Sequence, residues 1–82
     1  MTKPTVHLNG TSRDELKRQL KKAYGSIFDA IRDVAAAAPN ARDYYPQGPT
    51  IYAAAAAEHR SRVDRLVAVQ AELLELFEAV DQ

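Results

Sequence analysis

The chain has 82 residues, of which 46% are hydrophobic and 27% charged, and its formal net charge is zero. A balanced charge argues against a general nucleic-acid or membrane binder, and no stretch approaches the roughly 20 apolar residues that span a bilayer. With no cysteine and only two histidines, neither a disulfide nor an ordinary structural zinc site is expected. A single domain of this size, residues 1–82, has a small core, so we expect a homo-oligomer.

The first eleven residues are predicted to form an extended arm that leads through a turn into a helix. The pair Asn9-Gly10 favours a turn, because both residue types tolerate a positive φ. No apolar run resembles a secretory signal, so a cytoplasmic protein is expected. Ser12 and Glu15 fit a capping box, which places the start of the first helix there.

Two helices are predicted, over residues 12–38 and 51–81, with a loop at residues 39–50 between them. Pro39 ends the first helix, and Thr50 suits the N-cap of the second, although Pro49 is also compatible with its first turn. Apolar residues in both helices recur at alternating gaps of four and three, as in a coiled-coil seam. The seam of the second helix consists of Tyr52, Ala56, His59, Val63, Leu66, Gln70, Leu73, Phe77 and Val80.

The distribution of charge favours an antiparallel arrangement of the two helices. Basic residues begin the first helix and acidic residues end the second, so each end opposes its own helix macrodipole. Folding back at the loop would place Arg13 and Lys17 level with Glu75 and Glu72. Further apolar residues beside each seam indicate burial against a second neighbour. We therefore expect an all-α antiparallel two-helix hairpin that assembles into a helical-bundle homo-oligomer.

Three positions within the helices do not fit the apolar pattern, and two of them, Gly25 and His59, have two interpretations each. Gly25 costs the first helix about 1 kcal/mol relative to alanine, and it indicates either a closely packed helix or a ligand on bare backbone. Gln70 and His59 are polar seam positions that can specify register. His59 is also flanked by Arg60 and Arg62, and this grouping can bind an anion.

No catalytic constellation or metal-ligand spacing is recognisable, so we expect neither an enzyme nor a cofactor. The loop instead has the composition of a recognition site, because tyrosines stack on planar rings and arginine binds phosphate or carboxylate. Its two prolines reduce the entropy lost on binding. Alternatively, its tyrosines only plug the end of the hairpin. The candidate ligand-binding residues are Asn9, Gly10, Thr11, Arg42, Tyr44, Tyr45, Gln47, His59 and Arg62.

Three short stretches of the sequence are distinctive: His7-Leu-Asn-Gly-Thr-Ser12, Arg42-Asp-Tyr-Tyr-Pro-Gln-Gly-Pro49 and Glu58-His59-Arg60. Together they resemble a group of small proteins encoded by tailed phages and prophages. The likeness spans most of the chain and assigns no catalytic residue. It implies a phage context and the cytoplasm of an infected bacterial host. Small phage proteins of this build often counter bacterial defence, by blocking a protein or by sequestering a nucleotide immune signal.

The leading hypothesis is a non-enzymatic protein that sequesters a small anionic, nucleotide-like ligand in a pocket between subunits. Arg42, Arg62 and the turn at Asn9–Thr11 of a neighbouring chain would contact phosphate, while Tyr44 or Tyr45 stacks on a base. The alternative is a protein-binding inhibitor, or a phage accessory or assembly factor, that grips a host or phage protein through its tyrosines and apolar faces.

Overall fold

A computed structural model describes all 82 residues, which fold into two antiparallel helices and contain no strand. Helix α1 spans Arg13–Ala36 and helix α2 spans Pro49–Asp81. Between them lie two single-turn 3₁₀ helices, Ala41–Asp43 and Tyr45–Gln47. The molecule measures 61 × 20 × 17 Å. The all-helical hairpin agrees with the prediction from sequence, whereas assembly into a larger bundle stays a prediction. Neither helix combines the length and apolar character needed to cross a membrane.

Helix α1 begins as predicted but with half of the expected capping box. The Ser12 hydroxyl accepts a hydrogen bond from the Glu15 amide at 3.2 Å, which satisfies one of the free amides at the helix start. The Glu15 carboxylate points onward along the helix, where it accepts from Arg18 at 2.5 and 2.9 Å and from Gln19 at 3.1 Å. Two donors one turn ahead therefore replace the reciprocal bond to Ser12.

The loop-side ends of both helices differ by two residues from the sequence prediction. Helix α1 ends at Ala36, with Ala37 as its C-cap, because the approach to Pro39 removes the α conformation. Helix α2 begins at Pro49 rather than after a Thr50 cap. Gly48 precedes it with φ +99°, a conformation that glycine adopts without steric penalty, and proline suits the first helical position.

The register of the hairpin is fixed by contacts at both ends. Near the loop, His59 Nε2 lies 2.7 Å from the Val34 carbonyl oxygen. At the other end, Lys17 Nζ pairs with Asp81 at 2.5 Å and lies 5.7 Å from the centre of the Phe77 ring.

Charge pairing between the hairpin ends occurs with different partners from those predicted. Lys17 pairs with Asp81 instead of Glu72, and Glu75 pairs with Lys3 of the N-terminal arm at 3.8 Å instead of with Arg13. The antiparallel sense inferred from charge was right, but the assumed register was wrong.

The interface between the helices buries very little. Only Ala55 and Val80 are buried, at 9% and 2% exposure, although nearly half of the chain is hydrophobic. Several large apolar side chains on the outer surfaces are about half exposed, among them Phe28 and Val67. The hairpin alone therefore lacks the core that normally stabilises a domain.

Candidate functional site

An open cleft of about 310 Å³ lies at the loop end of the hairpin. Three tyrosines give it an aromatic surface, and small residues leave space beside them. It is lined by Ala41, Tyr44, Tyr45, Gly48, Pro49 and Tyr52. None of these side chains is charged. We call this feature the tyrosine cleft.

The backbone of the loop is held by short-range hydrogen bonds that shape the cleft. The Asn40 side chain accepts from the Arg42 amide at 3.0 Å, and the Tyr44 amide donates to the Ala41 carbonyl at 3.0 Å. The second 3₁₀ turn closes through Gln47 and Gly48, whose amides donate to Tyr44 and Tyr45. A loop ordered in this way loses little entropy when it binds a partner.

The three tyrosines differ in their environments. Tyr44 and Tyr52 pack against each other with ring centroids 6.4 Å apart and planes tilted by 54°, a favourable aromatic geometry. Tyr45 is 75% exposed and makes no aromatic pair. Tyr44 thus has the packing expected of a plug, whereas the ring of Tyr45 is available to a ligand.

Tyr52 is a residue of the cleft that the sequence interpretation missed. It was assigned to the coiled-coil seam because its spacing matches that of the later apolar positions. A signal was present, since Tyr52 follows Pro49 by less than one helical turn and so projects near the loop. Its contact with Tyr44 places it in the site.

Arg42 and Gln47 lie beside the cleft but do not line it. Arg42 is exposed, follows the lining residue Ala41, and forms no ion pair with Asp43 or any other carboxylate. The Arg42 guanidinium is therefore available to an external anion. Gln47 is also exposed.

His59 and Arg62 lie farther along α2, away from the tyrosines. His59 is seven residues beyond Tyr52, about 10 Å along the helix axis, and its Nε2 atom is engaged by Val34. Because a carbonyl oxygen only accepts, Nε2 must carry the proton in this contact. Arg62 lines a separate depression with Val34, Arg65 and Leu66. In one chain, neither residue joins Tyr44 and Tyr45.

The turn that contains Asn9, Gly10 and Thr11 lies at the opposite end of α1. The 24 residues of α1 separate it from the loop by about 36 Å. The turn is centred on Leu8 and Asn9 instead of on Asn9 and Gly10, since the Gly10 amide donates to the His7 carbonyl at 3.2 Å. Gly10 does not use a positive φ. A Cβ there would lie 2.7 Å from Nε2 of the exposed His7 side chain, which can rotate away, so this contact does not require glycine.

Two titratable groups have clearly perturbed pKa values, and they form one pair, Glu15 and Arg18, far from the cleft. Hydrogen bonds from Arg18 and then Gln19 lower the pKa of Glu15 to about 2. This carboxylate is exposed and its charge is stabilised by its neighbours on α1. No group of histidine, aspartate or glutamate side chains is arranged to hold a metal ion.

Comparison with protein-family models, with curated proteins and with solved structures found no match.

Proposed function

We propose that the protein is a non-enzymatic binding protein that takes a small anionic, nucleotide-like ligand at the tyrosine cleft. The observation that carries this proposal is the placement of the exposed Tyr45 ring and the unpaired Arg42 three residues apart on one preordered loop. Tyr45 would stack on the base, and the Arg42 guanidinium would make two hydrogen bonds to phosphate.

The cleft suits the flat part of such a ligand better than its charged part. Its lining is aromatic and uncharged, so phosphate groups would lie outside it, near Arg42. A second chain would supply further contacts. Arg62, His59 and the turn at Asn9–Thr11 would join this site only from a neighbouring subunit, because in their own chain they lie away from the cleft.

In this proposal the protein acts by sequestering the ligand that it binds. Together with the resemblance to small phage proteins, this suggests a role in the cytoplasm of an infected bacterium, where a captured nucleotide signal no longer reaches the host's defence system. The apolar surface left exposed by the hairpin supports self-assembly, which would place several such sites in one particle.

The test is ligand-induced thermal stabilisation with a panel of linear and cyclic nucleotides that includes ADP-ribose derivatives. We expect at least one compound to raise the melting temperature. Arg42→Ala and Tyr45→Ala should abolish the shift. Arg13→Ala, which removes an exposed arginine at the far end of α1, is the matched control and should retain it. Absence of any shift or calorimetric heat across the panel would disprove nucleotide binding.

A protein partner is the second candidate, and the uncharged lining of the cleft favours it. Aromatic grooves of this kind accept apolar or proline-containing segments of other proteins. In this case a host or phage protein should be retained stoichiometrically from lysate. Retention should be lost in Tyr45→Ala and kept in Arg42→Ala, whereas nucleotide binding requires both residues.

A further inference from the structure

An apolar surface runs along one side of the hairpin, away from the tyrosine cleft. Tyr24 of α1 and Leu74 of α2 line the same shallow cleft of about 190 Å³, which shows that they share a side. Phe28 is four residues after Tyr24 and Val67 is seven residues before Leu74, so they lie on the same helix faces. We call these four residues the apolar flank. Phe28 is 50%, Val67 46% and Leu74 42% exposed.

The register of the hairpin places Phe28 and Val67 nearly level with each other. The contact of Val34 with His59 and that of Lys17 with Phe77 set the pairing at the two ends. Counting inward along antiparallel helices from the two contacts places Phe28 opposite residue 65 or 66, within two residues of Val67. The two exposed side chains therefore face the same direction at nearly the same height.

We propose that the apolar flank binds a second copy of the chain, stacked with both loops at the same end. A two-fold axis parallel to the helices then places α1 of each copy on α2 of the other. Phe28 of one copy meets Val67 of the second, and the reverse contact follows from the symmetry. The result is a four-helix bundle in which all neighbouring helices are antiparallel.

Charges at the edges of the flank support this arrangement. Lys21 and Arg32 are exposed cations on the face of α1 that carries Tyr24 and Phe28. Asp64 and Glu78 are exposed anions on the face of α2 that carries Val67 and Leu74. None of the four forms an ion pair within its own chain. By the same count, Arg32 lies within about three residues of the level of Asp64 of the second copy. Lys21 lies about six residues from the level of Glu78, close to the offset that Lys17 and Asp81 bridge within the chain. Both pairs have opposite charge, and they lie on either side of the contact between Phe28 and Val67.

The reverse stacking, with the loops at opposite ends, is disfavoured by the same residues. It would pack α1 against α1 around a two-fold axis between Tyr24 and Phe28. Lys21 of one copy would then lie level with Arg32 of the other, and two cations would meet on each side of the axis. Electrostatic complementarity therefore selects the orientation with the loops together.

This dimer brings the two tyrosine clefts to one end of the bundle and both N-terminal turns to the other. A ligand shared between the two chains would contact a pair of loops, so Asn9–Thr11 of the dimer mate would not complete the cleft. The inference rests on the self-association included in the proposed function, but it does not depend on a nucleotide ligand.

Cross-linking tests the orientation, because the chain has no native cysteine. Two single-cysteine variants are refolded together without ligand and treated with a short bis-maleimide. Arg32→Cys with Asp64→Cys should give a covalent dimer, because these residues lie within about 5 Å of each other along the axis. Lys21→Cys with Arg32→Cys should not, because these residues are about 16 Å apart along the axis when the loops are together. A covalent dimer formed only by Lys21→Cys with Arg32→Cys would overturn the proposal. So would an equal yield when the exposed control Ala68→Cys replaces one partner of the first mixture.

Charge reversal provides an independent measurement by light scattering. Wild type should have twice the monomer mass at micromolar concentration, and either Lys21→Glu or Glu78→Lys should shift the mass toward that of the monomer. The double variant, which restores opposite charges across the interface, should recover the dimer. A monomeric wild type, or a double variant no better associated than the single ones, would contradict the proposed dimer. Nucleotide titrations report separately on the tyrosine cleft.

Discussion

His59 Nε2 lies 2.7 Å from the carbonyl oxygen of Val34, so the second helix caps the end of the first. Helix C-termini carry carbonyls without partners within the helix, and α1 has no basic residue in its last turn. The interaction spans 25 positions of sequence and joins the two helices just below the loop. It therefore joins the last turn of α1 to α2 at a position seven residues beyond Tyr52.

Removal of this cap should loosen the last turn of α1. His59→Ala is expected to cost about 1 kcal/mol of unfolding free energy, since the Val34 carbonyl keeps only its bond from the Ala37 amide. Urea denaturation gives the total loss, and hydrogen exchange should locate it at residues 34–38. His59→Gln keeps an N–H donor and should recover part of the protection. If the amides of residues 34–38 exchange equally fast in His59→Ala and His59→Gln, a capping role for His59 is contradicted.

Gly25 should be replaceable with a gain in stability. A Cβ at this position meets nothing within 4 Å, and it lies next to Tyr24 but outside the apolar flank. Gly25→Ala is therefore expected to raise the unfolding free energy by about 1 kcal/mol, through helix propensity alone.

Gly48→Ala is the contrasting control for this substitution. Gly48 also has space for a Cβ, but its φ of +99° is strained for any other residue, so alanine should destabilise it by about 1 kcal/mol or more. A loss of stability in Gly25→Ala, measured by denaturant unfolding, would instead indicate a helix or ligand packed against the glycine backbone.

Glu15 should make stability depend on pH in the acidic range. Its pKa is lowered from 4.5 to about 2, first by the hydrogen bond from Arg18 and then by that from Gln19. A carboxylate with a lowered pKa stabilises the fold fully above its unfolded value, and this contribution is lost as pH falls from about 4.5 toward 2.

An NMR titration of the Glu15 side chain measures this pKa directly. Arg18→Ala should move it back toward 4.5, the ordinary value, because the principal donor is gone. Arg13→Ala should leave it unchanged. A midpoint near the ordinary value in wild type would show that the pair with Arg18 is not maintained in solution.

Tyr44 and Tyr45 should separate structural from binding effects, although they are adjacent. Tyr44→Ala removes the aromatic contact with Tyr52, and we expect a loss of about 1 kcal/mol in unfolding free energy. Tyr45→Ala removes an exposed ring, so stability should change by less than about 0.5 kcal/mol while binding is lost. Thermal melting with and without ligand measures both effects. A large destabilisation by Tyr45→Ala would show that its ring is packed rather than available.

The sequence predicted the helices better than the contacts between them. Local signals such as the Ser12 cap, the break before Pro39 and the heptad spacing act within a few residues, and these appear in the structure. The register depends on how side chains of distant segments interdigitate. Charge alone did not determine it, since Lys17 reaches Asp81 instead of Glu72.

Prediction of the candidate site was limited in the same way. The loop tyrosines were recognised because Tyr, Pro and Gly are concentrated there, and Tyr44 and Tyr45 indeed share a cleft. Tyr52 was missed because a single residue can satisfy both a helical pattern and a loop contact. The grouping of Arg62 with these tyrosines assumed proximity near the loop, yet ten residues of α2 separate it from Tyr52, about 15 Å of helix.

Because only Ala55 and Val80 are buried in the single chain, the proposed dimer would tie the lifetime of this protein to its abundance. A hairpin that gains most of its burial from a second copy unfolds more readily when dilute, so its melting temperature rises with concentration. Newly made chains at low copy number would be open to proteases, whereas chains made in a burst would protect one another. The timing of expression would then decide when the protein becomes active, without any dedicated switch in the chain.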